Sequence, residues 1–261
     1  MLVIADNLGV RNKIYMQAVR GNDRKVIESL ATDLADKGAD IINVQCSIDG
    51  SGDEQALPFV AEIVQKASGL PLCLDSRNTD ALKKTLTLCN EPPIINYLSA
   101  DEKNADEMLV LVRDSKANLI IRALKGTVPA TYEAKLLILE ELIERANAAD
   151  IPNERLFADP SLIHLAEGMG QENLLNSHEC IIALNELVDP PINTIVWLSN
   201  ISSGLESPLR PHINSALLSY LAGAGLDAAL LDVTQTETMK TVYMVRAFRD
   251  EVIFSPADLM G

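Results

Sequence analysis

The sequence is short of the residues that carry most metal and nucleophile chemistry. It has three histidines, at 164, 178 and 212, and four cysteines, at 46, 73, 89 and 180. No pair of cysteines stands in C-x-x-C spacing and the histidines are scattered, so a zinc pattern is absent and the cysteines read as buried free thiols. Basic residues are scarce as well: 22 Lys and Arg face 37 Asp and Glu, for a formal net charge of −15. Binding to a phosphate backbone is driven by Lys and Arg displacing counterions, so this balance argues against a nucleic-acid partner. No apolar run approaches the roughly 20 residues needed to span a bilayer. The apolar stretch 1–5 ends at Asp6 without a basic segment before it, and a cytoplasmic location with no membrane partner is expected. No G-x-G-x-x-G follows the first apolar run, which disfavours an open dinucleotide-binding sheet. No low-complexity tract or long linker divides the chain, so one domain over residues 1–261 is expected.

What the sequence does have is apolar material, 48% against 23% charged, in a strictly alternating arrangement. Short β-type runs occur at residues 2–5, 41–44, 70–74, 94–97, 119–122, 156–158, 194–198 and 228–231. Between them lie stripes at helical spacing: Val26, Ile27, Leu30 and Leu34 first, with Gly38 as a C-cap, then residues 56–64, 82–89, 108–112, 136–143, 180–187, 217–221 and 239–248. Repeated βα units imply a parallel sheet. Eight strands and eight helices predict a single (β/α)8 barrel.

A barrel builds its active site at the C-terminal ends of its strands. Those ends are polar here: Asn43 and Gln45 after the second run, Asp75-Ser76 after the third, Asn96 on the fourth, Lys125 near the fifth, Asp159-Pro160 after the sixth, Ser199-Asn200 after the seventh and Asp232 after the eighth. Carboxylates accept from adjacent N–H groups and carboxamides both accept and donate, so Asp75, Asn96 and Asp159 on one mouth suit the edge of a flat heterocycle such as a pterin. The alternative is that strand-end Asp and Asn cap helices or form turns, and for any single position that reading is the stronger.

The stretches "LPLCLDSRN" (70–78), "IINYLSADE" (94–102), "LFADPSL" (156–162), "WLSNIS" (197–202), "RPHIN" (210–214) and "GLDAALLD" (225–232) resemble, in order and spacing over nearly the whole chain, the pterin-binding methyltetrahydrofolate:corrinoid protein methyltransferases. The resemblance implies a (β/α)8 barrel, a homodimer, and transfer of a methyl group between N5 of tetrahydrofolate and the cobalt of a separate corrinoid protein, in acetyl-CoA synthesis or in demethylation of methoxylated or methylated substrates. It implies that Asp75, Asn96 and Asp159 hold the pterin and that Asn200 faces N5 as the catalytic group. Gln45, Ser199, Ser203, Arg210 and Asp232 complete the implied substrate-binding set. The cobalamin would be carried by the partner, since this chain has no D-x-H-x-x-G, and no metal is expected on the chain itself. Dihydropteroate synthases share the barrel and the pterin pocket, but carry a Lys after strand seven and an Arg-x-His at strand eight, where this chain reads "SNISS" (199–203) and "DVTQT" (232–236). A pterin-binding subunit without activity is the third reading.

Some positions depart from the methyltransferase pattern. The first strand leads into "IADNLG" (4–9) where a "GERIN"-like segment is usual, and the second ends "NVQCS" (43–47) in place of Asp-x-Asn-x-Gly. Ser203 stands where the family has Gln, and the loop to Arg210 is slightly longer. Four other residues draw notice. His212 reads as a surface or capping residue. Cys46 has no neighbouring His to activate it. Trp197 is expected to pack in the core or against the helices. Asp232 is equally a pocket residue or a turn former.

Overall fold

In the computed structural model, which describes residues 1–259, eight strands hydrogen-bond in chain order and close on themselves. They are β1 (Leu2–Leu8), β2 (Ile41–Gln45), β3 (Leu72–Asp75), β4 (Ile94–Ser99), β5 (Asn118–Arg122), β6 (Leu156–Asp159), β7 (Asn193–Trp197) and β8 (Ala228–Leu231). All neighbours are parallel, and β8 closes on β1 through pairs such as Val3 with Ala229. The expected (β/α)8 barrel is therefore the fold. Among the described residues the helices are α1 (Lys13–Gly21), α2 (Arg24–Asp36), α3 (Asp53–Ser68), α4 (Thr79–Leu86), α5 (Ala105–Ser115), α6 (Tyr132–Ala148), α7 (Gly170–Leu187), α8 (Leu198–Ile201), α9 (Arg210–Gly223) and α10 (Thr236–Phe248). None is long and apolar enough to cross a membrane.

Eight of these helices carry the stripes read from the sequence; α1 and α8 do not. Helix α1 starts where Asn12 accepts a hydrogen bond from Tyr15 N–H, and buries Tyr15, Ala18 and Val19. Helix α8 follows β7 directly, so the strand stops at Trp197 and Asn200 lies in a helical turn rather than at a strand terminus. Gly38, with φ of 90°, supplies the left-handed step beyond α2.

Two apolar layers hold the barrel. Outward-facing strand residues such as Ile42, Leu74, Ile121 and Val196 pack against helix residues such as Val60, Leu82, Leu139 and Leu218. Inside, Ile4, Ile41, Cys73, Ile94, Ile120, Phe157, Ile195 and Leu230 form a separate plug. Side chains in a strand face one side at every second residue. Two positions further along each strand, the same interior columns carry Asp6, Asn43, Asp75, Asn96, Arg122, Asp159, Trp197 and Asp232. The apolar plug thus becomes the floor of a polar mouth.

One buried cation ties an outer helix to that mouth. Lys135 on α6 is fully buried, and its Nζ donates to the carbonyls of Pro160 (2.6 Å) and Ser161 (3.0 Å), just beyond β6. Burial pulls its ammonium down to about 8, against the favourable charge of Asp159. A neutral amine keeps enough N–H groups for both carbonyls. The folded state binds fewer protons than the unfolded chain between about 8 and the ordinary value of 10.5, so the stability contributed by Lys135 rises with pH across that window. Lys135→Met is expected to lose about 1–3 kcal/mol through the orphaned carbonyls. In urea unfolding the gap to wild type should widen between about pH 7 and about pH 9.5; a gap that is absent or independent of pH would remove this account.

Candidate active site

A cavity of 660 Å³ opens at the C-terminal ends of the strands. Its lining includes Asp6, Asn43, Gln45, Asp75, Arg77, Tyr97, Arg122, Trp197, Ser199, Ser203, Arg210 and Asp232. This is the size of a small-molecule site.

On the β2–β6 side the polar groups are joined to one another. Asp75 Oδ2 accepts from Gln45 Nε2 (3.0 Å) and Asn96 Nδ2 (3.2 Å), following the strand register Gln45–Asp75–Asn96. Gln45 Oε1 also accepts from Val10 N–H at 3.3 Å, which ties the β1 loop to this group. Arg122 and Asp159 face each other in register and pair at 3.3 Å, with Arg122 Nε donating to Ser161 Oγ. Arg122 lines the cavity; Asp159 and Asn96 do not, and both are buried, joined to it through Arg122 and Asp75. A register shift between Asn96 and Leu98 accompanies the placement of Tyr97 toward the interior. There two guanidiniums lie over its ring, Arg77 at 4.7 Å and Arg122 at 4.8 Å from the centroid, with Arg77 also donating to the Tyr97 hydroxyl and pairing with Glu102.

On the β7–β1 side, Trp197 Nε1 donates to Asp6 Oδ2 at 2.7 Å. Asn7 Nδ2 donates to Asp232, which also accepts from Thr234 N–H at 2.9 Å. Arg11 lies over the Trp197 ring at 5.4 Å and donates to Asn200 Oδ1 at 3.1 Å. His164 Nδ1 is 2.6 Å from the Asn200 carbonyl oxygen, and Arg210 Nε donates to Leu205 O at 2.9 Å.

Burial dominates the ionisation of the inward carboxyls. Desolvation raises Asp75 to about 7, opposed by the hydrogen bond from Gln45 and by the charge of Arg77. Asp6 rises to about 6, again from burial, with the Trp197 hydrogen bond opposing. Asp159 is also raised, because burial outweighs Arg122.

Each position named from the sequence has a definite place. Gln45, Asp75, Ser199, Ser203, Arg210 and Asp232 line the cavity. Asn200 is not among the lining residues; its side chain accepts from Arg11, which does line the cavity. The turn reading holds in part: Asp232 and Asp159 each accept a backbone N–H two residues on, yet both also face the interior group. Lys125 is not the fifth strand's contribution; it pairs with Glu141 at the surface, and Arg122 takes the inward position. Trp197 packs on the interior plug while also lining the cavity, because its column opens there. His212 is exposed. Burial pushes the Cys46 thiol up to about 12, and its neighbour is the Tyr15 hydroxyl at 3.6 Å. Asp6, Arg11, Arg77, Tyr97 and Arg122 were not singled out by the sequence. Counting two residues on from each interior apolar position finds Asp6 and Arg122; Arg11, Arg77 and Tyr97 depend on loop and register geometry. Among the described residues no group of three His, Cys, Asp or Glu side chains is placed to hold a metal ion.

The raised Asp75 value makes a test. The folded state holds the Asp75 proton up to about 7 against 3.8 for the ordinary group, so stability from this group is present at acid pH and lost as pH rises through about 7. Carboxyl NMR titration should show a midpoint near 7, moved higher by Gln45→Leu; a midpoint near 4 would overturn the assignment.

Comparison with known proteins agrees with this architecture. Residues 12–232 match the family described as pterin binding enzyme. The chain is 27% identical over 250 residues to a methylcorrinoid:tetrahydrofolate methyltransferase of Eubacterium limosum, covering 95% of this chain and 90% of that protein. It is 26% identical to the methionine synthase of Mycobacterium tuberculosis over 93% of this chain but only 21% of that much longer protein. Among solved structures, Xanthomonas albilineans dihydropteroate synthase has the same fold, with a TM-score of 0.71 at 18% identity over 95% of this chain and 93% of that one. The match extends from the loop after β1 to Asp232 in the mouth, and the chain belongs to the pterin-binding enzyme family.

Proposed function

We propose that this protein is a methyltransferase that moves a methyl group between N5 of tetrahydrofolate and the cobalt of a separate corrinoid protein. The observation that carries the reading is the joined polar group at the mouth. Asp75, Gln45 and Asn96 form one unit, Arg122 and Asp159 another, and each places acceptors beside donors. A pterin edge offers the complement: ring N–H and amino donors beside a carbonyl acceptor. Buried carboxyls raised by desolvation gain from such donors, because a hydrogen bond to the charged form offsets the cost of burial. The E. limosum relative, matched almost end to end, supports the reaction class.

In methyl transfer from folate, the bonding pair of the N5–methyl bond stays on N5, and a pair from the acceptor forms the new bond to carbon. N5 is a poor leaving group unless protonated as the methyl departs. Asn200 cannot supply that proton, which comes from solvent, but its amide oxygen can accept a hydrogen bond from the N5–H formed. Arg11 uses one lone pair of that oxygen and fixes the amide, leaving the second for substrate. The cobalamin belongs to the partner protein.

We also propose a homodimer formed through α6 and α7, whose groove has an apolar floor of Tyr132, Leu136, Leu137, Ile182, Ala183 and Leu187 flanked by Glu133, Glu140, Glu179 and Glu186, with Leu137 and Leu187 largely exposed. A cytoplasmic location follows from the same reading.

Methyl transfer assayed in both directions, with methylcobalamin and tetrahydrofolate and with cob(I)alamin and 5-methyltetrahydrofolate, should show turnover. Condensation of a pterin pyrophosphate with 4-aminobenzoate would instead make this a dihydropteroate synthase-like enzyme, and folate binding without either activity a silent subunit. In rapid mixing at saturating folate, Asn200→Ala should slow transfer on the order of 10²-fold without a matching loss of thermal stability. Asp159→Asn should weaken folate binding about ten- to a hundred-fold in calorimetry. Normal transfer in a folded Asn200→Ala protein would remove its catalytic role. Light scattering should give twice the chain mass, reduced to one chain by Leu137→Glu; a wild-type monomer would refute the dimer.

A further inference from the structure

The arginines around the cavity divide into two kinds. Arg77 and Arg122, on the β3–β5 side, are each paired with a carboxylate, Glu102 and Asp159. Arg11 and Arg210, on the β7–β1 side, are not: among the described residues neither guanidinium forms an ion pair. Arg11 gives one N–H to the neutral amide of Asn200, and Arg210 gives Nε to the carbonyl of Leu205. Each guanidinium has five N–H donors, so most of both remain free, on two residues that line the same cavity. In a chain with 37 acidic against 22 basic residues, a partner carboxylate is easy to supply; the electrostatic partner of Arg11 is Asp6, whose carboxyl burial raises and Arg11 lowers, without an ion pair. The carboxylates on this side are engaged deeper in the mouth, Asp6 by Trp197 and Asp232 by Asn7 and Thr234.

We propose that Arg11 and Arg210 form an anion subsite for the carboxylates of the glutamyl tail of the folate substrate, so that the protein selects folates by their tail. This rests on the pterin reading above. With the pterin edge toward Asp75 and Asp159 and N5 toward Asn200, the substituent on C6, the carbon next to N5, leaves the cavity on the β7–β1 side. That is the side where the two free guanidiniums lie. Guanidinium N–H groups match carboxylate oxygens in geometry as well as charge. The pterin itself carries no carboxylate, so the subsite is idle for a tail-less ligand. Additional glutamyl residues bring further carboxylates to the same rim.

The test is calorimetry with three probes: 6-methyltetrahydropterin, which has no tail, 5-methyltetrahydrofolate, and its triglutamate. Wild type should bind the monoglutamate about ten- to a hundred-fold tighter than the tail-less pterin, and the triglutamate tighter still. The doubly substituted protein, Arg11→Gln with Arg210→Gln, should lose most of that ratio, and Arg11→Lys with Arg210→Lys should retain most of it. The ratio is the readout because Arg11 also holds Asn200, which affects all three probes alike. A ratio near one in wild type, or a ratio unchanged in a folded Gln double variant, overturns the proposal and leaves the pterin reading intact. Failure of wild type to bind any of the three probes overturns both.

Discussion

A closed sheet of eight parallel strands has one interior column per strand, and each column receives a side chain at every second residue. The rest of this structure depends on how those columns are filled. In the lower positions they are apolar, Ile4, Ile41, Cys73, Ile94, Ile120, Phe157, Ile195 and Leu230, and they exclude water from the barrel. One step further seven of the eight are polar or charged, and the eighth is Trp197, whose indole nitrogen serves as a donor. The hydrophobic plug fixes strand register, since a one-residue slip would turn each column inside out. Register in turn sets Gln45 beside Asp75, Asp75 beside Asn96 and Arg122 beside Asp159. Packing energy and site geometry are consequences of the same alternation.

The electrostatics follow from depth. Carboxyls placed one step above an apolar floor are desolvated, which raises Asp6, Asp75 and Asp159 in spite of nearby donors and guanidiniums. Side-chain amides and arginines stand against them: Gln45 beside Asp75 and Arg122 beside Asp159. The buried Lys135 extends this arrangement outward, holding the turn after β6 from the helical layer. Arg11 and Arg210 complete it on the opposite side, where neither guanidinium forms an ion pair among the described residues.

The barrel alone does not separate the reactions it hosts. Dihydropteroate synthases have the same fold at 18% identity. The side chains at particular strand ends carry the chemistry: an Asn–Ser-rich turn after β7, and Asp232 bonded to Asn7 and Thr234 after β8. The function lies in those side chains and in what they leave unsatisfied.

Alternating short apolar runs and helical stripes indicated the number of strands and their parallel order, because parallel strands need helical crossovers. Closure rested on the count of eight units and on the missing G-x-G-x-x-G, since an open doubly wound sheet shows the same alternation. The spacing of polar residues just beyond those runs likewise marked Asp75, Asn96, Asp159 and Asp232 as mouth residues. Two things lay beyond the sequence. The first is where an element stops: β7 ends at Trp197 and the chain turns helical, so Asn200 is set by Arg11 and His164 rather than by the strand. The second is pairing between residues remote in the chain, such as Arg11 with Asn200, Trp197 with Asp6 and Lys135 with the carbonyls after β6. Local pattern determines which face a residue takes, because that is a matter of backbone period. Which group meets it across the barrel is decided only when the sheet closes and brings the first strand against the last.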